Sequence, residues 1–209
     1  MPASLTADGK ATFQYCDACG EEVLTYAVRS ATEIEQRCSY CGLPLSRKPP
    51  EDSPPIECVL LADDEKLMRW TLRDLLLEQR LAATVVACES GAEILQKFTE
   101  RLVVGEASHL VILDILMKDL DGVAAAKALR AVERAFEVKY HVPIIFLSAL
   151  RLDASLRNFV ARVQPALFLN KGVDATPDKL GVRLRKLLEA LGSRPVDAGN
   201  GRGPTFGGA

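Results

Sequence analysis

Five short apolar runs, each followed by a stretch of helical periodicity, constrain the fold of this chain more than any other feature. They are Val59–Ala62, Thr84–Cys88, Leu110–Leu113, Ile144–Leu147 and Ala166–Leu169. The runs are apolar nearly throughout, the pattern of parallel strands covered on both faces. Between them, Met68, Leu72, Leu75 and Leu76 share one helical face, as do Ala125, Leu129, Val132 and Phe136. Leu156, Phe159, Val160 and Val163 form a third stripe, and Leu180, Leu184, Leu187, Leu188 and Leu191 a fourth. Ser90 with Glu93 three positions on reads as a capping box, and Thr176 before Pro177 reads as the start of the last helix. Strict alternation of this kind predicts a doubly wound α/β domain with a five-stranded parallel sheet. Its chemistry belongs at the carboxyl ends of the strands.

With 209 residues there is room for that domain and a smaller unit beside it. Residues 12–45 hold paired cysteines and little apolar material. Residues 46–56 carry Pro49, Pro50, Pro54 and Pro55 and read as an extended linker. The α/β domain occupies residues 57–193, and the Gly-rich segment 194–209 reads as a disordered tail. A net charge of −2 gives no broad attraction to nucleic acid or anionic membrane. No apolar run is long enough to span a bilayer, and Met1 to Lys10 lacks the layout of a secretory signal, so a cytoplasmic protein is expected.

Acidic, hydroxyl and ammonium groups fall at the predicted strand ends. Asp63 and Asp64 follow the first strand, Asp114 the third, Ser148 the fourth and Lys171 the fifth. Carboxylates gathered at one sheet edge repel each other unless a cation sits among them. An oxygen-only donor set with room for water suits Mg²⁺. A hydroxyl and an ammonium completing the ring can hold the oxygens of a phosphoryl group, whose transfer depends on positioning and charge neutralisation.

This ordered set resembles the receiver domain of bacterial two-component response regulators. The supporting residues are Met117 after Asp114, Asp121-Gly122 in the following loop, Ser148-Ala149, and Phe168 three positions before Lys171. The resemblance implies a flavodoxin-like fold. Asp114 would be the phosphoacceptor, with Mg²⁺ held by Asp64, Asp114 and the Leu116 carbonyl, and by Asp63 through water. It further implies that Lys171 and Ser148 hold the phosphoryl oxygens and that Phe168 rotates inward as Ser148 moves. The implied partners are a sensor histidine kinase or phosphotransfer protein and a downstream protein. A homodimer through the fourth helix, fifth strand and fifth helix also follows from it, and turnover catalysis does not.

Three departures stand beside the match. Gly172 replaces the usual Pro after the lysine, Lys118 replaces the usual Pro after the methionine, and 34 positions separate Asp114 from Ser148, a surplus assigned to Glu133–His141. Leu116 and Leu150 occupy the two positions flanking the path of attacking water in this family. Being apolar, they predict slow self-dephosphorylation. Trp70 is expected to pack, and His109 and His141 to take no part in phosphotransfer. Cys58 and Cys88 are expected to behave as small buried hydrophobes, and Lys179, Arg183, Arg185 and Lys186 to form a solvated helix face.

The remaining cysteines form two Cys-x-x-Cys pairs, Cys16/Cys19 and Cys38/Cys41, each followed by glycine (Gly20, Gly42). That spacing suits a Cys₄ zinc ribbon with the metal structural, because four thiolates fill the coordination sphere. A dithiol switch would call for a surrounding βαβ unit, which this segment lacks. Up to Pro55 there are eight acidic residues against five basic ones, so the module is poorly suited to a phosphate backbone. Protein–protein interaction is the expected output. The alternatives are a transcription regulator binding DNA through Arg29, Arg37 and Lys48, and an adaptor that works without phosphorylation.

Overall fold

The expected β/α alternation is present, and each strand runs slightly longer than its apolar core. The computed structural model describes residues 12–29, 34–40, 43–45, 55–150, 152–171 and 177–192. A cysteine-bearing meander comes first: β1 (Phe13–Cys16), β2 (Glu21–Arg29) and β3 (Ile34–Cys38), all antiparallel. Then follow β4 (Ile56–Ala62), α1 (Lys66–Glu78), β5 (Ala82–Cys88), α2 (Gly91–Val103), β6 (Leu110–Asp114) and α3 (Gly122–Ala135). The last elements are β7 (Ile144–Ser148), α4 (Ala154–Arg162), β8 (Ala166–Asn170) and α5 (Pro177–Gly192). Ile56, expected in the linker, opens β4 and pairs with Ala82. Linker residues 46–54, the Thr176 cap and the tail lie outside the described residues.

The five parallel strands lie in the order β5-β4-β6-β7-β8. Alternation along them divides the core into two layers. Val59, Leu61, Ile112, Ile145, Leu147 and Leu169 face α1 and α5, meeting Leu72, Leu76, Leu184 and Leu187. Leu60, Val111, Leu113, Ile144, Phe146 and Phe168 face the opposite layer, with Ile94, Phe98, Leu129 and Phe159. Each fully buried side chain of this size contributes about 1.5–3 kcal/mol. Cys58 and Cys88 are buried as expected, and burial pushes the Cys88 thiol up to about 12.

Cap residues start the helices on the loops that carry the chemistry. Ser90 Oγ accepts the Glu93 amide at 3.1 Å, while Glu93 reaches back to the Glu89 amide at 2.7 Å. Asp121 caps α3 by accepting the Ala124 amide at 2.7 Å. Trp70 differs from expectation. It is 46% exposed on the outer face of α1, with the Arg73 guanidinium 4.9 Å from its ring, because the apolar stripe of Leu72, Leu75 and Leu76 turns it outward.

The surplus before β7 lengthens the exit loop and not the helix, since α3 ends at Ala135 and Glu137 turns the chain with φ 52°. Glu133 ties that loop down. Its fully buried carboxylate accepts from the Val142 amide at 2.6 Å, from Arg130 at 2.8 Å and from His141 Nδ1 at 2.8 Å. His109 lies 3.2 Å from Glu57 at the sheet surface.

The meander does not stand apart with its own small core. Cys16, Ala18, Val23, Cys38 and Leu43 are buried in the same cluster as Leu180 and Leu184 of α5. The basic run on α5, expected to be solvated, is drawn into this contact: Arg183 is buried and Lys186 pairs with Asp17 at 3.0 Å. The Lys179 side chain lies outside the described residues.

Gly122 locks α3 against the strand-end chemistry. A Cβ there would lie 2.2 Å from the Asp114 carbonyl oxygen, which is backbone and cannot yield cheaply. Gly122→Ala is expected to cost about 1–3 kcal/mol by overpacking, read as a lowered urea midpoint with unchanged slope.

Candidate functional site

Register brings the site together. Ala62 is paired with Leu113 and Asp114 with Leu147, while Ser148 is paired with Asn170. The residues at or just beyond these pairs, Asp63, Asp114, Ser148 and Lys171, therefore lie along one edge of the sheet. Asp63 is fully buried and Asp114 nearly so, while Asp64 is partly exposed. Lys171 Nζ bridges them, 2.8 Å from Asp63 Oδ2 and 3.2 Å from Asp114 Oδ2. Its own amide donates to the Ser148 carbonyl at 2.7 Å, which fixes where the side chain starts.

Local hydrogen bonds orient the other groups. Asp63 Oδ1 accepts the Glu65 amide at 2.9 Å, and Arg69 of α1 holds the Asp63 carbonyl at 2.6 Å. Asp64 Oδ2 accepts the Lys118 amide at 3.3 Å, so the residue standing where the family has proline supplies a donor. Ser148 Oγ accepts the Leu150 amide at 3.0 Å. Phe168 is buried on the α4 side of β8. Leu116 and Leu150, two positions beyond Asp114 and Ser148, are 54% and 47% exposed. Gly172 lies outside the described residues.

Charge is unbalanced here. One ammonium faces three carboxylates, whose oxygens lie within 4.8 Å of one another. Burial pushes the Asp114 carboxyl above its ordinary value. Lys171 opposes that shift, Asp63 adds to it, and a backbone hydrogen bond from Leu116 opposes it. Burial alone would lower Lys171, but its hydrogen bond to Asp63 and the two carboxylate charges outweigh this and raise it. A six-coordinate Mg²⁺ with bonds of 2.0–2.1 Å spaces its oxygens about 2.9–4.2 Å apart. The three carboxylates need only small side-chain adjustments to fit.

A second cluster lies in the meander. Cys16, Cys19 and Cys38 bring their sulfurs within 4.8 Å of one another, with Cys19 and Cys38 at 3.7 Å. Tetrahedral Zn–S bonds of 2.3 Å place sulfurs roughly 3.8 Å apart. The Tyr40 amide lies 3.3 Å from Cys38 Sγ, and Gly20 takes the positive φ of 75° expected for the first turn. Arg183 is a buried cation over this turn, and the acceptors seen for it are the carbonyl oxygens of Asp17 and Ala18. A thiolate–metal centre in this turn would add negative charge near the buried guanidinium and so lower the cost of its burial. Cys41 and Gly42 lie outside the described residues.

Sequence reasoning missed Asn170 and Arg69. Asn170 Nδ2 donates to the Leu150 carbonyl at 2.7 Å, holding the β7–α4 loop. Arg69 could have been suspected from its place one turn into the helix after Asp63.

A parallel sheet with an acidic, lysine-bridged strand-end site defines the class as a flavodoxin-like α/β signalling domain. Residues 59–180 match the family described as the response regulator receiver domain, more than half of the chain, and the chain belongs to that family. It is 29% identical over 75 residues to the chemotaxis protein CheY of Bacillus subtilis, covering 36% of this chain and 58% of that relative's length. Among solved structures it resembles a variant of the receiver domain of the histidine kinase CKI1 from Arabidopsis thaliana. That match has a TM-score of 0.52 and 23% identity, covering 63% of this chain and 88% of the other. The response regulator domain of Thermotoga maritima CheB gives a TM-score of 0.52 at 20% identity, covering 67% and 99%. These likenesses establish the fold. Receivers of this family are signalling domains of two-component systems, bind Mg²⁺ at their acidic site, and interact with histidine kinases or phosphotransfer proteins. No helix among the described residues is long and apolar enough to cross a membrane.

The raised Asp114 carboxyl has a measurable consequence. Folding disfavours its ionised form, so its stabilising contribution is present at acid pH and lost as pH rises through its folded value. Asp114→Asn is therefore expected to raise the melting temperature in Mg²⁺-free buffer near neutrality. The gain should shrink on acidification, where wild-type Asp114 is protonated.

Proposed function

We propose that this chain is a response regulator whose Asp114 accepts a phosphoryl group from the phosphohistidine of a sensor kinase or phosphotransfer protein. The observation carrying this reading is Lys171, whose ammonium lies 2.8 Å and 3.2 Å from the two buried carboxylates. An Asp114 carboxylate oxygen attacks phosphorus as the P–N bond breaks; the bond pair goes to the ring nitrogen, and the imidazole, already protonated on its other nitrogen, leaves neutral. Asp64, Asp114 and the Leu116 carbonyl, with Asp63 beside them, would hold Mg²⁺, which would neutralise charge on the phosphoryl oxygens. Lys171 swings from Asp63 toward the incoming group. Ser148 exchanges its bond with the Leu150 amide for one to a phosphoryl oxygen, freeing the loop beside Phe168. The switch is a population shift biased by one local charge change. Leu116 and Leu150 cannot orient water, which makes the phospho-form long-lived.

In the meander, Cys16, Cys19 and Cys38, with Cys41 as the expected fourth ligand, would hold a structural Zn²⁺. Residues 12–45 act as ribbon, 46–55 as linker, the unit from β4 to residue 193 as receiver and 194–209 as tail in a cytoplasmic protein. Output runs through protein contact. Arg37, one of the three basic residues a DNA-binding ribbon would use, is paired with Glu35 at 2.6 Å.

Incubation with acetyl phosphate and Mg²⁺, followed by intact mass, tests the reading. A single phosphoryl gain is expected, absent in Asp114→Asn and slowed by about 10²-fold in Lys171→Ala. No gain in the wild type under any Mg²⁺ concentration overturns it. Leu116→Asn should shorten the phospho-form's lifetime, and an unchanged hydrolysis rate would remove the role given to Leu116.

A further inference from the structure

The edge strand β8 does not face solvent at its end. Its Asn170 amide donates to the Ala18 carbonyl at 2.7 Å, inside the turn between Cys16 and Cys19. Four further contacts seat the same cysteine loops. Arg183 Nε donates to the Asp17 carbonyl at 2.5 Å, and Lys186 Nζ meets both Asp17 carboxylate oxygens at 3.0 Å. The Arg183 guanidinium passes so close to Gly20 that a Cβ there would lie 2.9 Å from it. On the α4 side, the Arg157 guanidinium lies 5.4 Å from the centre of the Tyr40 ring. A cleft of about 180 Å³ remains between the two parts, with Cys19, Glu21, Glu22 and Tyr40 on one side and Leu152, Phe168 and Asn170 on the other.

Asn170 is joined directly to Lys171. Its amide is held by the cysteine turn, its side chain by the Leu150 carbonyl, and the next amide by the Ser148 carbonyl. A single dipeptide therefore connects the sulfur cluster to the ammonium that bridges Asp63 and Asp114. The turn that makes the contact carries two of the three clustered sulfurs, those of Cys16 and Cys19. Metal binding at a small thiolate site is coupled to the folding of the turn that carries it.

We propose that the cysteine turn is a metal-gated ligand of the receiver's own β8–α5 edge: a thiophilic divalent ion at Cys16, Cys19 and Cys38 seats the turn on Asn170 and Arg183, and thereby holds Lys171 for phosphorylation of Asp114. This rests on the receiver reading above. The face expected for homodimerisation is then occupied from within the chain, and its exposure to a second protein depends on the state of the metal. Binding at the two metal-dependent sites is reciprocal: whatever factor Zn²⁺ contributes to the Mg²⁺–beryllofluoride affinity, that complex returns to Zn²⁺ affinity.

The test compares the full chain, reduced, in Zn²⁺-loaded and chelator-stripped forms, together with Arg183→Met. Readouts are amide exchange at Asn170 by NMR, Zn²⁺ content by native mass, and affinity for Mg²⁺ with beryllofluoride. Stripping is expected to speed Asn170 exchange at least tenfold and weaken beryllofluoride binding at least fivefold, both restored by added Zn²⁺. Arg183→Met should do the same while retaining its Zn²⁺; if that variant does not fold, the wild-type Zn²⁺ titration decides alone. Equal exchange and equal affinity in loaded and stripped protein overturn the proposal, as does faster exchange with unchanged affinity. If beryllofluoride binds neither form, the receiver reading fails, whereas the seating of the turn is still judged by Asn170 exchange.

Discussion

The ammonium of Lys171, shared between two buried carboxylates, is the interaction on which the rest of the structure depends. Asp63 follows β4 and Asp114 ends the neighbouring β6; both are buried, so their like charges would drive the two strands apart at their ends. One cation does not balance three carboxylates, so the site keeps an excess of negative charge that a divalent ion would relieve. Removing a partner from such a buried group leaves an uncompensated charge, which costs far more than the pair itself contributes. The sheet edge is thus held under electrostatic tension, the condition in which one added charge can change the preferred packing.

That tension is contained by backbone. Gly122 brings α3 against the Asp114 carbonyl, Arg69 grips the Asp63 carbonyl, and the Lys171 amide is tied to Ser148. The parts free to move are side chains and one loop: Ser148 Oγ, held by a single amide, and the segment after it, held by Asn170. A rigid frame around a few exchangeable hydrogen bonds suits a two-state element, because alternatives differ by partner and not by fold.

The cysteine meander gives the frame a second point of support. Its buried residues join the layer formed by α1 and α5, so its stability and that of α5 are not separate quantities. Arg183 shows how the two are joined: its guanidinium lies against the Gly20 turn, where a Cβ would come within 2.9 Å of it. A basic residue that would be unremarkable on a solvated helix is here the closest neighbour of the sulfur-bearing loop.

How much of this could be read from the chain itself follows physical lines. The five strands, the two-sided core and the acidic edge were legible, because burial on both faces leaves uninterrupted apolar runs and parallel connection puts their carboxyl ends together. Asp63, Asp114, Ser148 and Lys171 were legible for the same reason, each lying at the end of such a run. The cysteine spacing by itself pointed to a metal. Other features depend on groups distant in the chain and leave no local pattern: Arg183 on Asp17, Asn170 on Ala18, and the outward turn of Trp70. Helical periodicity states that a face is polar without saying whether water or another segment meets it, and the long separation between the cysteine turn and α5 hides their contact from any window of sequence. Local composition therefore determined the elements and the reactive groups, whereas only tertiary packing decided that the cysteine turn would be seated one residue from the lysine of the site.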